Sequence, residues 1–164
     1  MTWFDGLILL IVAAVCIYEL RQEAGRSLLD AMGTLLAVHV TDLYSPHLGA
    51  ALHWKAPHGM ESSPQAYLLL FVPMFLLALT LSFLAHRNLR WSLDQYDPVF
   101  GMALGLCAAI ALAHVASDMA MRSALVANPK LPQYLANSLF AEELRTFPTY
   151  HRVMAVLMQA RTAG

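Results

Sequence analysis

The chain has 164 residues, 59% of them apolar and only 13% charged, with a mean hydropathy of +0.55. A soluble domain carries about a quarter charged residues, and a small one needs polar side chains to cover its large relative surface, so an ordinary soluble globule is excluded. Disorder and a disulfide scaffold fall on the same apolar content and on two cysteines. Nucleic acid is excluded as a partner by a net charge of −1 with no basic run. What remains is an all-α polytopic membrane protein whose first partner is the lipid bilayer.

A membrane-crossing helix needs roughly 20 mostly apolar residues. The first candidate span covers residues 3–20, with thirteen uncharged positions between Asp5 and Glu19. A secretory signal would carry Lys or Arg ahead of its apolar run. None stands there, and Val15 occupies the place where a lipoprotein site before Cys16 needs a small residue. A retained span is expected.

The second candidate, residues 27–43, is more polar, because Asp30 and Asp42 leave only eleven uncharged residues between them. A core or interfacial helix competes with a span here. Wound as a helix, it carries Asp30, Thr34 and Thr41 on one stripe with Ala37 between them. Such a stripe avoids lipid and turns toward protein or a water-filled cavity. Residues 44–65 then read as an irregular or partly helical surface segment, rich in the breakers Pro46, Gly49, Pro57, Gly59 and Pro64, with Trp54 at headgroup level.

The third span, 66–85, is twenty residues without a charge, and Pro73 is expected to bend it. The fourth, 98–118, begins after Asp97 and ends at Asp118. Along it Gly101, Gly105, Ala109 and Ala113 repeat every four residues, a ridge that lets a second helix approach closely, inside the bundle or between protomers. The expected fold is a four-helix transmembrane bundle over residues 1–127. Residues 128–164 follow as amphipathic surface helices after the breakers at 128–132, lying on the membrane surface or against the bundle. Their apolar faces are Leu135, Leu139, Leu144 and Phe147, then Val153, Val156, Leu157 and Ala160. Arg21, Arg26, Arg87 and Arg90 in the first and third connections, against Lys55 in the second, put both termini outside the cytoplasm. Arg122 and Lys130 reduce that bias.

Seven histidines raise the question of a metal or haem. His47, His53 and His58 have no tight-site spacing and no cysteine beside them, so a solvated loop explains them. His39 and His114 share a depth in this topology and form a remote candidate for axial haem ligands. Hydrogen bonds to neighbouring helices are the plainer reading. Of the carboxylates in or near the spans, Asp5, Glu19, Asp30, Asp42 and Asp118, most sit at helix ends. Asp30 is the best placed for an ion or proton role. Cys16 and Cys107 read as small core residues. No HExxH, GxSxG, Walker lysine loop or strand-linked GxGxxG occurs, so a non-enzymatic protein without a cofactor is expected.

Three sequence marks together resemble the colicin V production protein family. They are Trp3-Phe4-Asp5 leading into an apolar helix, the run Tyr96-Asp97-Pro98-Val99-Phe100-Gly101 with Gly105 at the start of the last membrane helix, and Asn137-Ser138-Leu139 after it. The chain departs from the family where Arg-Gly-aromatic follows the first helix, having Arg21 to Arg26 without that motif, and where Cys107-Ala108 replaces Arg-Gly. The resemblance implies a bacterial inner-membrane protein needed for toxin production or export and linked to envelope homeostasis. Some relatives join a similar unit to an extracytoplasmic trypsin-like protease, whose motifs this chain lacks. Two other functions compete with this one: a small channel or transporter lined by Asp30, Thr34 and Thr41, and a two-histidine cytochrome. A homo-oligomer is expected to bury the polar stripe at a shared axis, with secretion or envelope proteins as possible further partners.

Overall fold

The computed structural model describes residues 2–57, 60, 62–89, 92–127 and 133–146. The long apolar runs, free of alternating polar residues, fold as four helices: α1 (Trp3–Glu19), α2 (Ala24–Ala51), α3 (Pro64–Leu89) and α4 (Asp97–Ala127). A 3-10 turn, Asp94–Tyr96, leads into α4, and two short helices follow, α5 (Gln133–Ala136) and α6 (Ala141–Thr146). Among the described residues there is no strand. Two stretches, Pro64–Asn88 and Asp94–Val126, are long and apolar enough to cross a membrane. With 17 residues α1 is short, and α2 spreads its apolar residues among Arg26, Asp30, Asp42 and a hydroxyl-bearing stripe.

The helices alternate in direction. Residues at the end of α1 meet the start of α4, where Glu19 lies against Gly101 and Gly105. Phe4 and Ile8 near the start of α1 share a core cluster with Ala113 and Met121 far along α4. Helix α2 runs parallel to α4 and lies between it and α3, and α1 joins the bundle chiefly through α4. A second cluster, Ala37, Val38, Tyr67, Phe71, Ala111 and Val115, fills the space among α2, α3 and α4. Small residues set the crossings. A methyl on Gly33 would stand 3.0 Å from the Ala78 Cβ, and one on Gly49 would touch the Ala66 Cβ at 3.6 Å.

Helix α2 does not end where the breakers place its boundary. It continues eight residues beyond 43, through Pro46 and Gly49, to Ala51. Proline removes one backbone donor and crowds the preceding turn, a local cost that the packing of Ser45 and Gly49, both buried, offsets. Gly49 serves contact with α3 rather than a turn. The helix stops in a Schellman arrangement: Trp54 N–H donates to the Gly49 carbonyl (2.9 Å), His53 N–H donates to the Ala50 carbonyl (3.2 Å), and His53 takes the left-handed conformation at φ 57°. Helix α4 likewise runs past 118 to Ala127.

Residues 133–146 pack against the bundle, one of the two placements expected for them. Leu135 and Ala141 are buried in the cluster with Phe4, Ile8 and Met121, while Leu139, counted in the same apolar stripe, is 63% exposed. The register explains the space they fill. Measured from the Glu19–Gly101 contact, α1 runs out about 15 Å before α4 does at 1.5 Å per residue, and α5 and α6 occupy the vacant flank of α4. The second amphipathic stretch, 149–160, and Phe147 lie outside the described residues.

Candidate functional site

Polar groups gather at the two ends of the bundle and in a cavity on its side. At the end where α1 stops and α2 and α4 begin, Asp97 is the junction. Its carboxylate accepts the backbone N–H of Ala24 (3.0 Å), the first residue of α2, together with Leu93 N–H (2.8 Å) and the Ser92 hydroxyl (2.5 Å). The opening amides of a helix have no partners within it and carry the positive end of its dipole, so a carboxylate from a neighbouring helix caps α2 there. One turn further, Gly101 gives way to α1: an added methyl would stand 2.5 Å from the Glu19 carbonyl oxygen, and on Gly105 it would stand 2.7 Å from the Glu19 Cβ. Ala109 and Ala113, the rest of the ridge, are fully buried. The two glycines of the ridge are thus filled by α1 of the same chain, and Ala113 shares a core cluster with Phe4 and Ile8 of α1.

At the opposite end Asp5 is the junction. One carboxylate oxygen accepts Thr2 N–H (2.6 Å) and caps α1, while the other accepts the Ser138 hydroxyl (2.5 Å) and Leu139 N–H (3.0 Å). The Ser138 oxygen in turn accepts the Ala141 N–H that opens α6 (3.1 Å). One carboxylate and one hydroxyl therefore tie the first turns of two helices that lie 136 positions apart in the chain. Trp3 extends this contact, its ring 5.1 Å from that of Tyr134 on α5.

Nearby, α4 binds the start of α3. Arg122 holds Asp118 (Nε to Oδ2, 2.5 Å) and donates from Nη1 to the Ser62 carbonyl (2.8 Å) and hydroxyl (2.6 Å). Its guanidinium sits 4.9 Å from the Tyr67 ring centre, and Ser45 on α2 donates to the Ser62 oxygen (2.9 Å).

The cavity is a half-open one between α1 and α2, with α3 and α4 as its remaining walls and a volume of about 290 Å³. Its polar groups are Glu19, Asp30 and Thr34, and its walls include Val15, Phe75 and Leu112. Glu19 is 3% exposed and Asp30 4%. Glu19 Oε2 and Asp30 Oδ2 each lack a hydrogen-bond donor. Arg26 stands 3.6 Å from Asp30 as an ion pair and is also bound to the Tyr18 hydroxyl (2.7 Å). The Thr34 hydroxyl donates to the Asp30 carbonyl one turn back (2.7 Å).

The stripe expected on the second helix is therefore buried inside one chain. Asp30 and Thr34 face the cavity, whereas Thr41 is buried elsewhere and donates to the Ala37 carbonyl (2.7 Å). All three residues of the stripe are thus covered within the protomer. Glu19 is the cavity residue that span reading alone leaves at an interface; the signal for it is two glycines four apart on α4. His39 is exposed, whereas His114 is half-enclosed, its Nδ1 against the Leu144 carbonyl and its Nε2 3.9 Å from Asp42. His47 and His53 are exposed, and His58 lies outside the described residues. Among the described residues no three His, Cys, Asp or Glu side chains gather as metal ligands. Cys16 is half-buried and Cys107 exposed. Comparison with known protein families, with curated proteins and with solved structures finds no match to this chain.

Proposed function

We propose that this chain is a four-span protein of a bacterial inner membrane, similar to the colicin V production proteins. It supports toxin production or export and envelope homeostasis without enzymatic chemistry, as a homo-oligomer that engages secretion or envelope proteins. The observation that carries this reading is where the marks of the resemblance fall. Trp3, Asp5, Asp97, Gly101, Gly105 and Ser138 are the residues through which separate helices are fastened. A set of residues that reads as a family signature and also holds the bundle together is what shared architecture would leave in a sequence.

The four long helices suit this placement. At 1.5 Å per residue α1 reaches about 25 Å and α2 about 42 Å, against roughly 30 Å of hydrocarbon. Outward residues on both are apolar, such as Leu9, Leu10 and Ile17 on α1 and Met32, Leu35 and Leu36 on α2. Arg122, which counts against termini outside the cytoplasm, is spent on Asp118 and Ser62 in the interior. Arg26 is likewise paired with Asp30, so the cytoplasmic charges that carry the orientation are Arg21, Arg87 and Arg90, against Lys55 and Lys130.

The test is a deletion strain of the source bacterium, measured for toxin export and bile-salt tolerance. Loss of either, restored by the wild-type gene and not by Asp5→Ala, is the expected result. Unchanged export and tolerance would remove the reading. Single cysteines in the loops report the topology by their labelling from outside, and cross-linking in native membrane reports the oligomer.

A second reading, a small channel or transporter, draws on the cavity with Glu19, Asp30 and Thr34. Its test is flux through reconstituted protein, which Asp30→Asn is expected to lower.

A further inference from the structure

We infer that the cavity between α1 and α2 binds a small lipophilic amine in its ammonium form, held by Glu19 and Asp30 and taken up in exchange for one proton. The inference rests on the cavity and deepens the second reading above; it does not depend on a part in toxin production. Glu19 Oε2 is buried and without a donor, and it shares the cavity with Asp30, whose Oδ2 faces Arg26 Nε at 3.6 Å. A buried acceptor left unmade is costly, and an unpaired buried carboxylate more so. The occupant must therefore bring N–H or O–H groups.

Charge narrows the class. The groups that face the cavity are Glu19 and Tyr18 from α1 and Asp30 from α2 with its ion-pair partner Arg26. From α3 and α4 come only apolar side chains, among them Phe75, Leu79, Ala108 and Leu112. Arg26 balances Asp30, which leaves one carboxylate, Glu19, to be matched by one proton or one monovalent cation. Calcium and magnesium take six or more oxygen ligands and zinc three or four side chains, and among the described residues no cluster of three acidic or metal-ligating side chains is present. An ammonium group needs two or three acceptors, which the two carboxylates supply. The walls select what is attached to it: about 290 Å³ of largely apolar space admits a short hydrocarbon or single ring and nothing much larger. Gly101 and Gly105 fix the Glu19 backbone and Cβ against α4, so the carboxyl is held in place before the ligand arrives.

The exchange balances. With Glu19 protonated the empty cavity is neutral. Entry of R–NH3+ is matched by loss of the Glu19 proton to solvent, giving a carboxylate–ammonium pair and no net change in buried charge.

The experiment uses the purified full-length chain in lipid nanodiscs, titrated with benzylammonium chloride in weak buffer containing a pH indicator, with calorimetry in parallel. Saturable binding with close to one proton released per benzylammonium bound is expected. Glu19→Gln, nearly the same shape, should weaken binding about tenfold or more and abolish the proton release. Ala108→Leu takes up space in the cavity while leaving both carboxylates in the chain, and it should block binding while the thermal unfolding transition is retained. Benzyl alcohol, a neutral probe of the same size, should not compete. Uptake that fails to saturate, that Glu19→Gln leaves unchanged, or that benzyl alcohol displaces would overturn the inference. If Glu19→Gln does not fold, Ala108→Leu decides: binding that survives it overturns the site. These are measurements on purified protein, so their failure is separate from failure of the deletion phenotype.

Discussion

The two ends of the bundle are each closed by an aspartate that caps a helix, yet they are closed by different means. At the Asp97 end the chain uses backbone: Gly101 brings α4 against the Glu19 carbonyl, and Asp97 takes an amide of α2. At the Asp5 end it uses side chains on a returning segment: the Ser138 hydroxyl, the Leu135 and Ala141 side chains and the Trp3–Tyr134 ring contact. Contact between the backbones of two long helices cannot be released without separating them. A short segment held by a few side chains can leave while the rest stands, because local opening needs only the free energy of its own contacts. The Asp97 end is the fixed one, and the Asp5 end is the one able to open.

The largest effect that would test this difference is expected from Leu135→Ala. Leu135 is 2% exposed in the cluster of α1 and α4, and truncating a buried leucine costs about 2–4 kcal/mol. Hydrogen exchange should quicken across residues 133–146 while α2 and α3 keep their protection. Loss of protection throughout the molecule would mean that the two ends are not independent.

At the fixed end the corresponding change is Gly101→Ala. Its methyl would meet the Glu19 carbonyl oxygen at 2.5 Å, and the neighbour is backbone, which cannot rotate away. Overpacking of this kind costs about 1–3 kcal/mol. The expected result is a lower midpoint for unfolding of the whole bundle in denaturing detergent, without selective exchange at 133–146. A midpoint equal to that of the parent would show that α1 and α4 do not meet there.

Much of the helical content is legible in the sequence, since the third and fourth spans carry no charge and no alternation. The polar face of α2 is legible too, because Asp30, Thr34 and Thr41 repeat with the helical period. The end of α2 is not. Pro46 and Gly49 are read as breakers by local preference, and only the contact of Gly49 with Ala66 shows why the helix passes through them. Glu19 looks like an interfacial charge at the end of its own span. That it joins Asp30 depends on Gly105, far away in the chain, accepting its Cβ. Asp5 and Ser138 are both marked by the resemblance, but nothing in either neighbourhood says that they touch across 133 residues. Non-local pairing is the part of the fold that local composition does not encode.

A smaller effect is expected from Ser138→Ala, which sharpens the contrast without emptying the core. It removes the hydroxyl that Asp5 accepts and leaves the Ala141 N–H without that acceptor. A hydrogen bond to a charged group contributes about 1.5–3 kcal/mol, reduced here because Leu139 N–H remains on the same oxygen. Exchange at Ala141 should rise several-fold, and Ser138→Thr, which restores the hydroxyl, should return it toward the parent value. An unchanged rate in Ser138→Ala would assign the docking of this segment to Leu135 and Ala141 alone.

The smallest effect has the opposite sign. His53 closes α2 in the left-handed region at φ 57°, where a side chain other than glycine's costs roughly 1–2 kcal/mol. Glycine adopts it freely but loses more entropy on folding, by about 0.5–1 kcal/mol, so His53→Gly should stabilise the chain by about 0.5 kcal/mol. The His53 side chain is exposed and makes no contact that the change would remove from the core. The site lies at the same end of the bundle as Asp5 but on α2, which belongs to the fixed body. If the two ends differ as argued, His53→Gly raises the unfolding midpoint and leaves exchange at 133–146 where it was. Slower exchange in that segment would tie α2's terminus to the returning helices, and the opening end would then be larger than the segment that docks there.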